Sequence, residues 1–460
     1  MLAGCGQRWG NEDPASPEAR ADNTEKLFAG AALWDDPQNT PHPMFNWPTL
    51  SHPPQSKAAP QWWIPPPARA LPQPISGLVH VAQVPELSSG AGIALFGRLA
   101  VVPGFGASSA IVDIGDPQHP EVLSYFNGGQ QTKSAGAKHG AAGTHRGAAT
   151  IAYPTGRLVT VISTDTHIDV WDITDPYTPH HLPSLRPTQG SHKVGVVPGT
   201  PIVYNAASAG GGTPQGNLGM GTGVTEIFDL TDPDHPVHVQ DFPNGYSCHH
   251  VYFWNRPEQN KYRAICAGVE FTQIWDTADP RNPRVIVSLP FHSGVPGAPS
   301  AAVIPEAFSH YAGLNNDGTV LLVGDENGGG GLPPGCVASV STPVGDPSTP
   351  IGAVWFYDVS TETSPLLLGW YSALNDPRVK DPLGSCTAHH GRLVPDPDGR
   401  DLLAMSFYGD GVILVDFSNP RLPHAVAQFA DGSNTWETWY HNGYLFTGDL
   451  NRGMDVLTFN

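Results

Sequence analysis

The sequence has no long apolar run and few basic residues. No stretch approaches the roughly 18 consecutive apolar residues that a membrane-spanning helix needs. Lysine and arginine together number 23 against 42 aspartates and glutamates, which gives a formal charge of −19. Because nucleic acids and anionic membrane surfaces attract cationic proteins, this charge disfavours both as partners. We therefore expect no nucleic-acid binding and no transmembrane segment.

Several common catalytic motifs are also missing. The glycine runs Gly210–Gly212 and Gly328–Gly331 are not followed by the Lys-Ser/Thr pair of a phosphate-binding loop. No Cys-x-x-Cys pair and no Ser-His-Asp arrangement stands out. By contrast, the 52 glycines and 48 prolines indicate a fold rich in turns and disfavour long helices.

A short unit recurs along most of the chain. A run of apolar, strand-forming residues ends in an aspartate, and the pattern Asp-x-x-Asp/Asn-Pro follows, as in residues 110–117, Ala-Ile-Val-Asp-Ile-Gly-Asp-Pro. In such a turn the acidic or amide side chain accepts hydrogen bonds from its own backbone, while proline presets φ. The anchor aspartates of the seven units are Asp113, Asp172, Asp229, Asp276, Asp358, Asp416 and Asp455.

Each unit contains four strands, named a to d from the inside of the ring outwards. Repeated four-stranded units are typical of β-propellers, because a single blade cannot bury both faces of its sheet. The last unit ends one strand short, and Leu78–Val84 resembles the outer strand His424–Phe429 of the unit before it. We therefore predict an all-β fold, a seven-bladed β-propeller with four-stranded blades whose ring is closed by the N-terminal strand.

The N-terminal part of the chain differs in composition from the repeats. Residues 76–460 are assigned to the propeller, and residues 1–75 to an extended, Pro-rich arm whose aromatic residues, such as Trp62-Trp-Ile64, dock on a surface. Leu2-Ala-Gly-Cys5 matches the box at which bacterial lipoprotein signals are cut, although the basic and apolar stretch that precedes such a box is missing. Either the true start codon lies further upstream, or the match is a coincidence. We expect the first, and hence an extracytoplasmic protein (periplasmic or at the cell surface) whose membrane contact is a lipid on Cys5.

Four further cysteines allow three disulfide pairings. Cys248 and Cys266 lie symmetrically about a turn within one hairpin, so they could face each other across its strands. Cys336 and Cys386 lie in long loops that could meet. The alternative is four separate buried thiols.

Loop lengths indicate which face of the ring carries the function. The connections from d to a and from b to c emerge on one face, here called the upper face, and nearly all the long loops belong to it. Since elaborated loops on a rigid scaffold commonly carry binding and catalytic residues, we expect a small-molecule site or a partner contact on the upper face.

Histidines recur at the start of the innermost strand in five consecutive blades. By the symmetry of the ring they converge on the upper mouth of the central channel, and neutral imidazoles oriented by carboxylates suit Cu, Fe or Zn. Within the doublets His249-His250 and His389-His390, the second histidine is chosen because it lies further into the strand. The predicted metal ligands are His145, His192, His250, His310 and His390, with Glu326 and Asp410 behind them. In the alternative interpretation each histidine bonds to an acid of its own blade and binds no metal.

The repeats resemble two families. The units Ile111-Val-Asp-Ile and Ile413-Leu-Val-Asp-Phe-Ser-Asn-Pro420 look like the LVIVD repeat of exported bacterial propellers, over six of the seven units. That resemblance implies the fold and says little about function. More distantly, the histidine-bearing inner strands are similar to the selenium-binding protein and methanethiol oxidase group, seven-bladed propellers in which histidines are implicated in copper binding. The paired-cysteine motif of that group has no counterpart here.

Two functions are therefore predicted. One is a metal-dependent oxidoreductase acting on a small molecule at the upper face. The other is a non-catalytic, lipid-anchored propeller that serves as a docking or structural subunit of a cell-envelope complex, contacting an envelope protein through its upper-face loops and N-terminal arm.

Overall fold

The computed structural model describes residues 60–127, 130–132, 145–207, 224–243, 247–268, 271–290, 308–326, 352–373, 376–379 and 387–460. The predictions for Cys5, Cys336, Cys386 and the first 59 residues lie outside this range. A short helix, α1 (Pro60–Trp63), precedes the first strand, β1 (Leu78–Val84), and a 3₁₀ turn spans Pro257–Gln259. In the described part of the chain, no helix is long and apolar enough to cross a membrane.

Seven antiparallel sheets follow one another along the chain and form the blades of a propeller. Blade 1 consists of β2 (Ala94–Phe96), β3 (Leu99–Val102), β4 (Ser109–Asp113), β5 (Glu121–Asn127) and β6 (Gln130–Thr132). Blade 2 consists of β7 (Gly147–Ala152), β8 (Leu158–Ser163), β9 (Ile168–Asp172) and β10 (His180–Leu185). Blade 3 consists of β11 (Lys193–Val196), β12 (Ile202–Ala206), β13 (Thr225–Asp229) and β14 (Val237–Phe242).

The remaining blades repeat this order. Blade 4 consists of β15 (His250–Arg256), β16 (Lys261–Ala267), β17 (Phe271–Asp276) and β18 (Arg284–Pro290). Blade 5 consists of β19 (Ser309–Leu314), β20 (Val320–Asp325), β21 (Val354–Asp358) and β22 (Leu366–Tyr371). Blade 6 consists of β23 (Gly391–Val394), β24 (Leu402–Ser406), β25 (Val412–Asp416) and β26 (His424–Phe429), and blade 7 of β27 (Thr435–His441), β28 (Tyr444–Asp449), β29 (Gly453–Phe459) and β1.

Strand β1 closes the ring, and this confirms the predicted seven-bladed fold. It pairs antiparallel with β29 from Leu78 opposite Phe459 to Val84 opposite Met454. The N-terminal strand therefore becomes the outermost strand of the last blade. One detail differs from the prediction of four strands per blade, because β6 turns back and pairs with the outer edge of β5. Blade 1 therefore has five strands.

The anchor aspartates cap the turns between the third and fourth strands. In six of the seven repeats the carboxylate accepts the backbone N–H two residues further on, at 2.7–3.0 Å. This is the local side-chain-to-backbone bond expected of Asp in a turn. Asp455, which closes the seventh unit, instead accepts hydrogen bonds from Arg452 and from His80 of β1. The exception therefore also ties the closing strand to the ring.

The core is divided among the interfaces between blades. Seven main clusters of buried apolar side chains each join two consecutive blades, and one of them closes the ring by joining blade 7 to blade 1. Strands b and c are buried over almost their whole length, because neighbouring blades cover both of their faces. Inner strands of adjacent blades also contact one another around the axis. This arrangement brings residues from the start of each inner strand together.

The end of the N-terminal arm packs into the propeller. Trp62 and Trp63 of α1 are buried in the cluster between blades 1 and 2, and the Trp63 ring lies 5.0 Å from the ring of Phe96. The backbone N–H of Arg98 donates to the carbonyl of Trp62 at 3.1 Å. Between these residues, Gly97 has φ +55°, and a Cβ there would lie 2.1 Å from the Trp62 carbonyl oxygen. Only glycine allows this close approach.

The hairpin of blade 4 carries a disulfide. Cys248, just before β15, and Cys266, in β16, are bonded to each other, with their Cα atoms 5.5 Å apart. The bond lies in the buried cluster between blades 3 and 4. It also fixes the segment that immediately precedes the histidine pair of blade 4.

Candidate metal centre

Six buried histidines form a continuous cluster at the upper end of the central channel. They lie at the start of the inner strands of blades 3 to 6, where adjacent strands approach the axis. Successive rings touch, with centroids 4.0 to 4.8 Å apart. The members of this histidine cluster are His192, His249, His250, His310, His389 and His390.

Two triplets within the cluster could each hold a metal ion. The first comprises His192, His249 and His310, and the second comprises His310, His389 and His390. In each triplet one nitrogen per ring lies within 4.8 Å of the other two. Ligand nitrogens of a tetrahedral site with bonds of 2.0–2.1 Å are about 3.4 Å apart, so small ring rotations would complete the geometry. His310 belongs to both triplets and occupies the centre of the cluster.

Backbone carbonyls determine the tautomers of two of these rings. The Nδ1 atom of His310 donates to the carbonyl of His389 at 3.1 Å, and Nδ1 of His389 donates to the carbonyl of Trp436. A carbonyl can only accept, so in the neutral rings the proton is on Nδ1 and the Nε2 lone pair is available. This is the second-sphere arrangement that prepares histidine for metal binding.

Glu326 faces both of these lone pairs. Its carboxylate oxygens lie 3.4 Å from Nε2 of His310 and 3.6 Å from Nε2 of His389. Acceptor atoms that face each other in a buried site require a proton or a cation between them. The Tyr408 hydroxyl donates to the same carboxylate. Glu326 therefore completes a pocket of three acceptor groups, two imidazoles and one carboxylate, that favours a positively charged guest.

The other histidines have fewer partners. Nδ1 of His390 contacts the hydroxyl of Tyr252, whose ring stacks on His250 with centroids 4.0 Å apart. Neither ring nitrogen of His192 or of His249 has a hydrogen-bond partner among the described residues. Buried polar atoms without partners are costly, and a bound ion would satisfy them.

Burial determines the protonation of the site. It lowers the pKa of every histidine in the cluster, in the case of His310 to about 3, so that the rings are neutral at physiological pH. Burial also raises the pKa of Glu326 to about 7, while the hydrogen bond from Tyr408 acts in the opposite direction. Glu326 can therefore hold or release a proton near neutral pH.

The backbone of Tyr408 is strained. Its φ is +47°, in the left-handed region that costs a non-glycine residue of order 1–3 kcal/mol. Two hydrogen bonds to its carbonyl, from Gly411 and Thr435, hold the turn in place. The strained conformation places the phenol against both Glu326 and His389, whose ring lies 4.7 Å away.

His145 lies outside both triplets. Its Nδ1 is 2.6 Å from the Ser109 hydroxyl, and its Nε2 is 4.0 Å from the carboxylate of Asp169. Asp169 also binds His167 at 3.0 Å and His181 at 3.2 Å. The hydrogen bond of His145 therefore joins blade 2 to Ser109 of blade 1, while Asp169 of its own blade lies too far away for a hydrogen bond and is held by His167 and His181 instead.

The structure also places the other predicted residues. His192, His310 and His390 belong to the triplets, but His250 does not, and His249 and His389 belong instead. Successive residues point in opposite directions near a strand, so His249 faces His192, whereas His250 faces Tyr252. Asp410 is buried in the turn that begins at Tyr408 and belongs to neither triplet. Glu326 lies beside the second triplet, as described above.

A third group of possible ligands is less suitable for a metal. Glu226 lies near His238 and Asp241 in blade 3. The Glu226 carboxylate already accepts hydrogen bonds from Thr188 and Asn205. His238 and Asp241 are exposed and bind each other at 2.9 Å. The candidate metal centre is therefore the axial histidine cluster.

Comparison of the sequence with models of known protein families and with curated proteins finds no match.

Proposed function

We propose that this propeller binds a transition metal ion at the upper mouth of its channel, through His310, His389 and His390. The observation that carries the proposal is the pair of unprotonated Nε2 atoms, on His310 and His389, that face the carboxylate of Glu326. The triplet of His192, His249 and His310 is the neighbouring candidate, and its unpartnered nitrogens support an ion in the same cluster.

The ligand set favours Cu, Fe or Zn. Imidazole suits all three, and the triplets contain no thiolate. We further propose that the protein is a metal-dependent oxidoreductase that acts on a small molecule. A bound Cu or Fe ion would supply the redox chemistry. In the protein, Tyr252 orients His390, while Glu326 holds or releases a proton at its carboxylate.

We also propose that the protein is an LVIVD-type propeller that is exported from the cytoplasm and anchored to a membrane through a lipid on Cys5. The Leu2-Ala-Gly-Cys5 box supports this placement. The disulfide between Cys248 and Cys266 also supports it, because disulfides persist mainly in oxidising compartments.

Metal analysis of protein purified without a histidine tag tests the proposal. We expect the wild-type protein to contain a transition metal and the double variant His310→Ala/His390→Ala to contain none while remaining folded. The matched control is His119→Ala/His235→Ala, which removes two exposed histidines that pair with aspartates of the turns. The control should retain its full metal content.

Two results would contradict the proposal. Either the double variant keeps its metal, or the wild-type protein contains none even after incubation with Cu, Fe and Zn salts. The histidine cluster would then be structural, and the function as a docking or structural subunit of an envelope complex would replace metal binding.

A further inference from the structure

A cavity of about 130 Å³ lies within the central channel, beside the histidine cluster. Strand β15 lines it from His250 at the upper end to Arg256 at the lower end. His250 also touches His390, with ring centroids 4.8 Å apart, so the cavity adjoins the candidate metal centre. A ligand in the cavity would therefore lie next to the metal ligands without replacing any of them.

The charges of the cavity wall are opposite to those of the whole chain. The chain carries a formal charge of −19, yet the residues that line the cavity include three cations, Lys193, Arg256 and Arg392, and a single carboxylate, Glu437. An interior concentration of positive charge in an acidic protein attracts anions into that space.

Glu437 is shared between two of these cations. Its Oε2 lies 3.1 Å from the Lys193 ammonium, and its Oε1 lies 3.6 Å from the Arg392 guanidinium and accepts the indole N–H of Trp439 at 2.8 Å. Lys193 is almost fully buried, and this burial lowers its pKa, an effect that Glu437 opposes. Arg256, at the lower end of the cavity, has a carboxylate of its own, that of Glu258 at 3.9 Å. Lys193, Arg392 and Glu437 together leave one positive charge in excess, and a buried excess charge is stabilised by a counter-ion.

The remaining wall is aromatic and has unused hydrogen-bonding atoms. The Arg392 guanidinium stacks 3.5 Å above the Trp439 ring and 5.2 Å from that of Tyr252. His250 Nδ1 and Asn255 Nδ2 both lack a hydrogen-bond partner among the described residues, although each side chain is more than nine-tenths buried. Such orphan polar atoms in a cavity wall indicate a missing ligand or water.

We propose that this cavity binds a small organic monocarboxylate with a flat apolar body, with the carboxylate between Lys193 and Arg392. One negative charge balances the single excess positive charge, and the forked guanidinium matches a carboxylate. The flat body packs on Trp439 and Tyr252. The cavity of about 130 Å³ is close to the roughly 150 Å³ that accommodates benzene, so the apolar body is no larger than a single six-membered ring, and benzoate is a suitable probe. This inference goes beyond metal binding and does not depend on it.

Calorimetric titration of benzoate into the metal-free, full-length protein tests the inference. We expect saturable binding of benzoate, and binding of neutral benzyl alcohol that is at least tenfold weaker. The variant Arg392→Gln removes the excess charge and should weaken benzoate binding at least tenfold, whereas Arg392→Lys, which keeps the charge but not the fork, should weaken it less. The matched control is Arg284→Gln, which removes an arginine that is 75% exposed and does not line the cavity, and its affinity should equal that of the wild type.

Several outcomes would overturn the inference. They are equal binding of benzoate and benzyl alcohol, no saturable binding of benzoate, or wild-type affinity in Arg392→Gln. Binding of inorganic phosphate without binding of benzoate would overturn the carboxylate assignment. The two proposals are separated by His310→Ala/His389→Ala, which removes two metal ligands that do not line the cavity, and in which we expect benzoate binding to remain after the metal has been lost. The selectivity for benzoate over benzyl alcohol needs no variant, so a misfolded variant does not prevent the test.

Discussion

His145 and His192 occupy equivalent places in neighbouring blades, yet their surroundings differ completely. Both are buried and lie one or two residues before an inner strand. His145 contacts Ser109 and lies near Asp169, whereas the ring of His192 packs against that of His249, and neither of its nitrogens has a hydrogen-bond partner among the described residues. In blade 2 the acid arrives from the same sheet. In blades 3 to 6 the rings contact further histidines, and Glu326 of blade 5 is the acid that faces two of them, His310 and His389.

This difference shows that the repeat determines where a histidine lies, while its neighbours determine what it can do. The His145 imidazole uses its Nδ1 in the hydrogen bond to Ser109 and so joins blade 2 to blade 1. An imidazole surrounded by others, neutral and without partners, is stable only at a cost unless a cation is bound. Stability and metal-binding measurements should therefore separate the two kinds of histidine.

The largest expected effect is acid sensitivity of the metal-free protein. Burial holds the pKa of the six clustered imidazoles below 6.5, so between their folded pKa and 6.5 the unfolded chain binds protons that the folded one does not. Their contribution to stability is complete above about pH 6.5 and is lost as the pH falls below it. Glu326 acts in the opposite sense between 4.5 and about 7, but it is one group against six.

Urea unfolding in the presence of a chelator measures this effect. The free energy of unfolding should fall from pH 6.5 towards pH 5, by up to about 1.4 kcal/mol per pH unit for each imidazole. His192→Ala should lower the slope of the free energy of unfolding against pH by up to about 1.4 kcal/mol per pH unit, which corresponds to one proton. A free energy of unfolding that stays constant or rises as the pH falls across this window would show that the cluster is already protonated in the folded protein.

A smaller effect, on stability alone, distinguishes the partnered histidine. His145→Ala removes the hydrogen bond to Ser109 and exposes Asp169 to a void, so we expect a loss of about 1–3 kcal/mol. His192→Ala removes no hydrogen bond to a described residue and should cost less in metal-free protein. Chemical denaturation with a chelator present provides both values, and the metal content of His145→Ala should equal that of the wild type. Equal losses in the two variants would remove the distinction.

The smallest effect concerns the residue that polarises Glu326. Tyr408→Phe removes the hydroxyl donor and so raises the pKa of Glu326 further above about 7. The carboxylate is then protonated over more of the neutral range, and we expect metal affinity to fall severalfold near pH 7, less than the tenfold that corresponds to about 1.4 kcal/mol. Competition with a chromophoric chelator between pH 6.5 and 8.5 measures the metal affinity of both proteins. A loss that does not diminish towards pH 8.5 would contradict this cause.

Much of the fold could be predicted because it is repeated. Asp113 and its six counterparts mark the blades locally, and the strand missing after Phe459 points to β1. The fifth strand of blade 1 has no such signal, since β6 only extends an existing sheet edge. Repetition therefore reveals the architecture but not the local additions to it.

The site was predicted less completely, for two physical reasons. A shift of one residue reverses the direction of a side chain, so the sequence could not decide between His249 and His250. The partners of the site also come from distant blades. Lys193 and Glu437 are 244 positions apart, and Tyr408 reaches Glu326 across 82. Neither pairing leaves a local pattern in the sequence.

The closure of the ring also affects the time course of biosynthesis. His80 of β1 binds Asp455 of β29, which the ribosome adds 375 positions later. At about 5–20 residues per second, β1 waits on the order of 20–75 s for its partner. During this interval β1 has been made, but the other three strands of the seventh sheet have not, so both edges of β1 lack a partner. The protein thus completes its least local contact last, when the other blades are already available as a template.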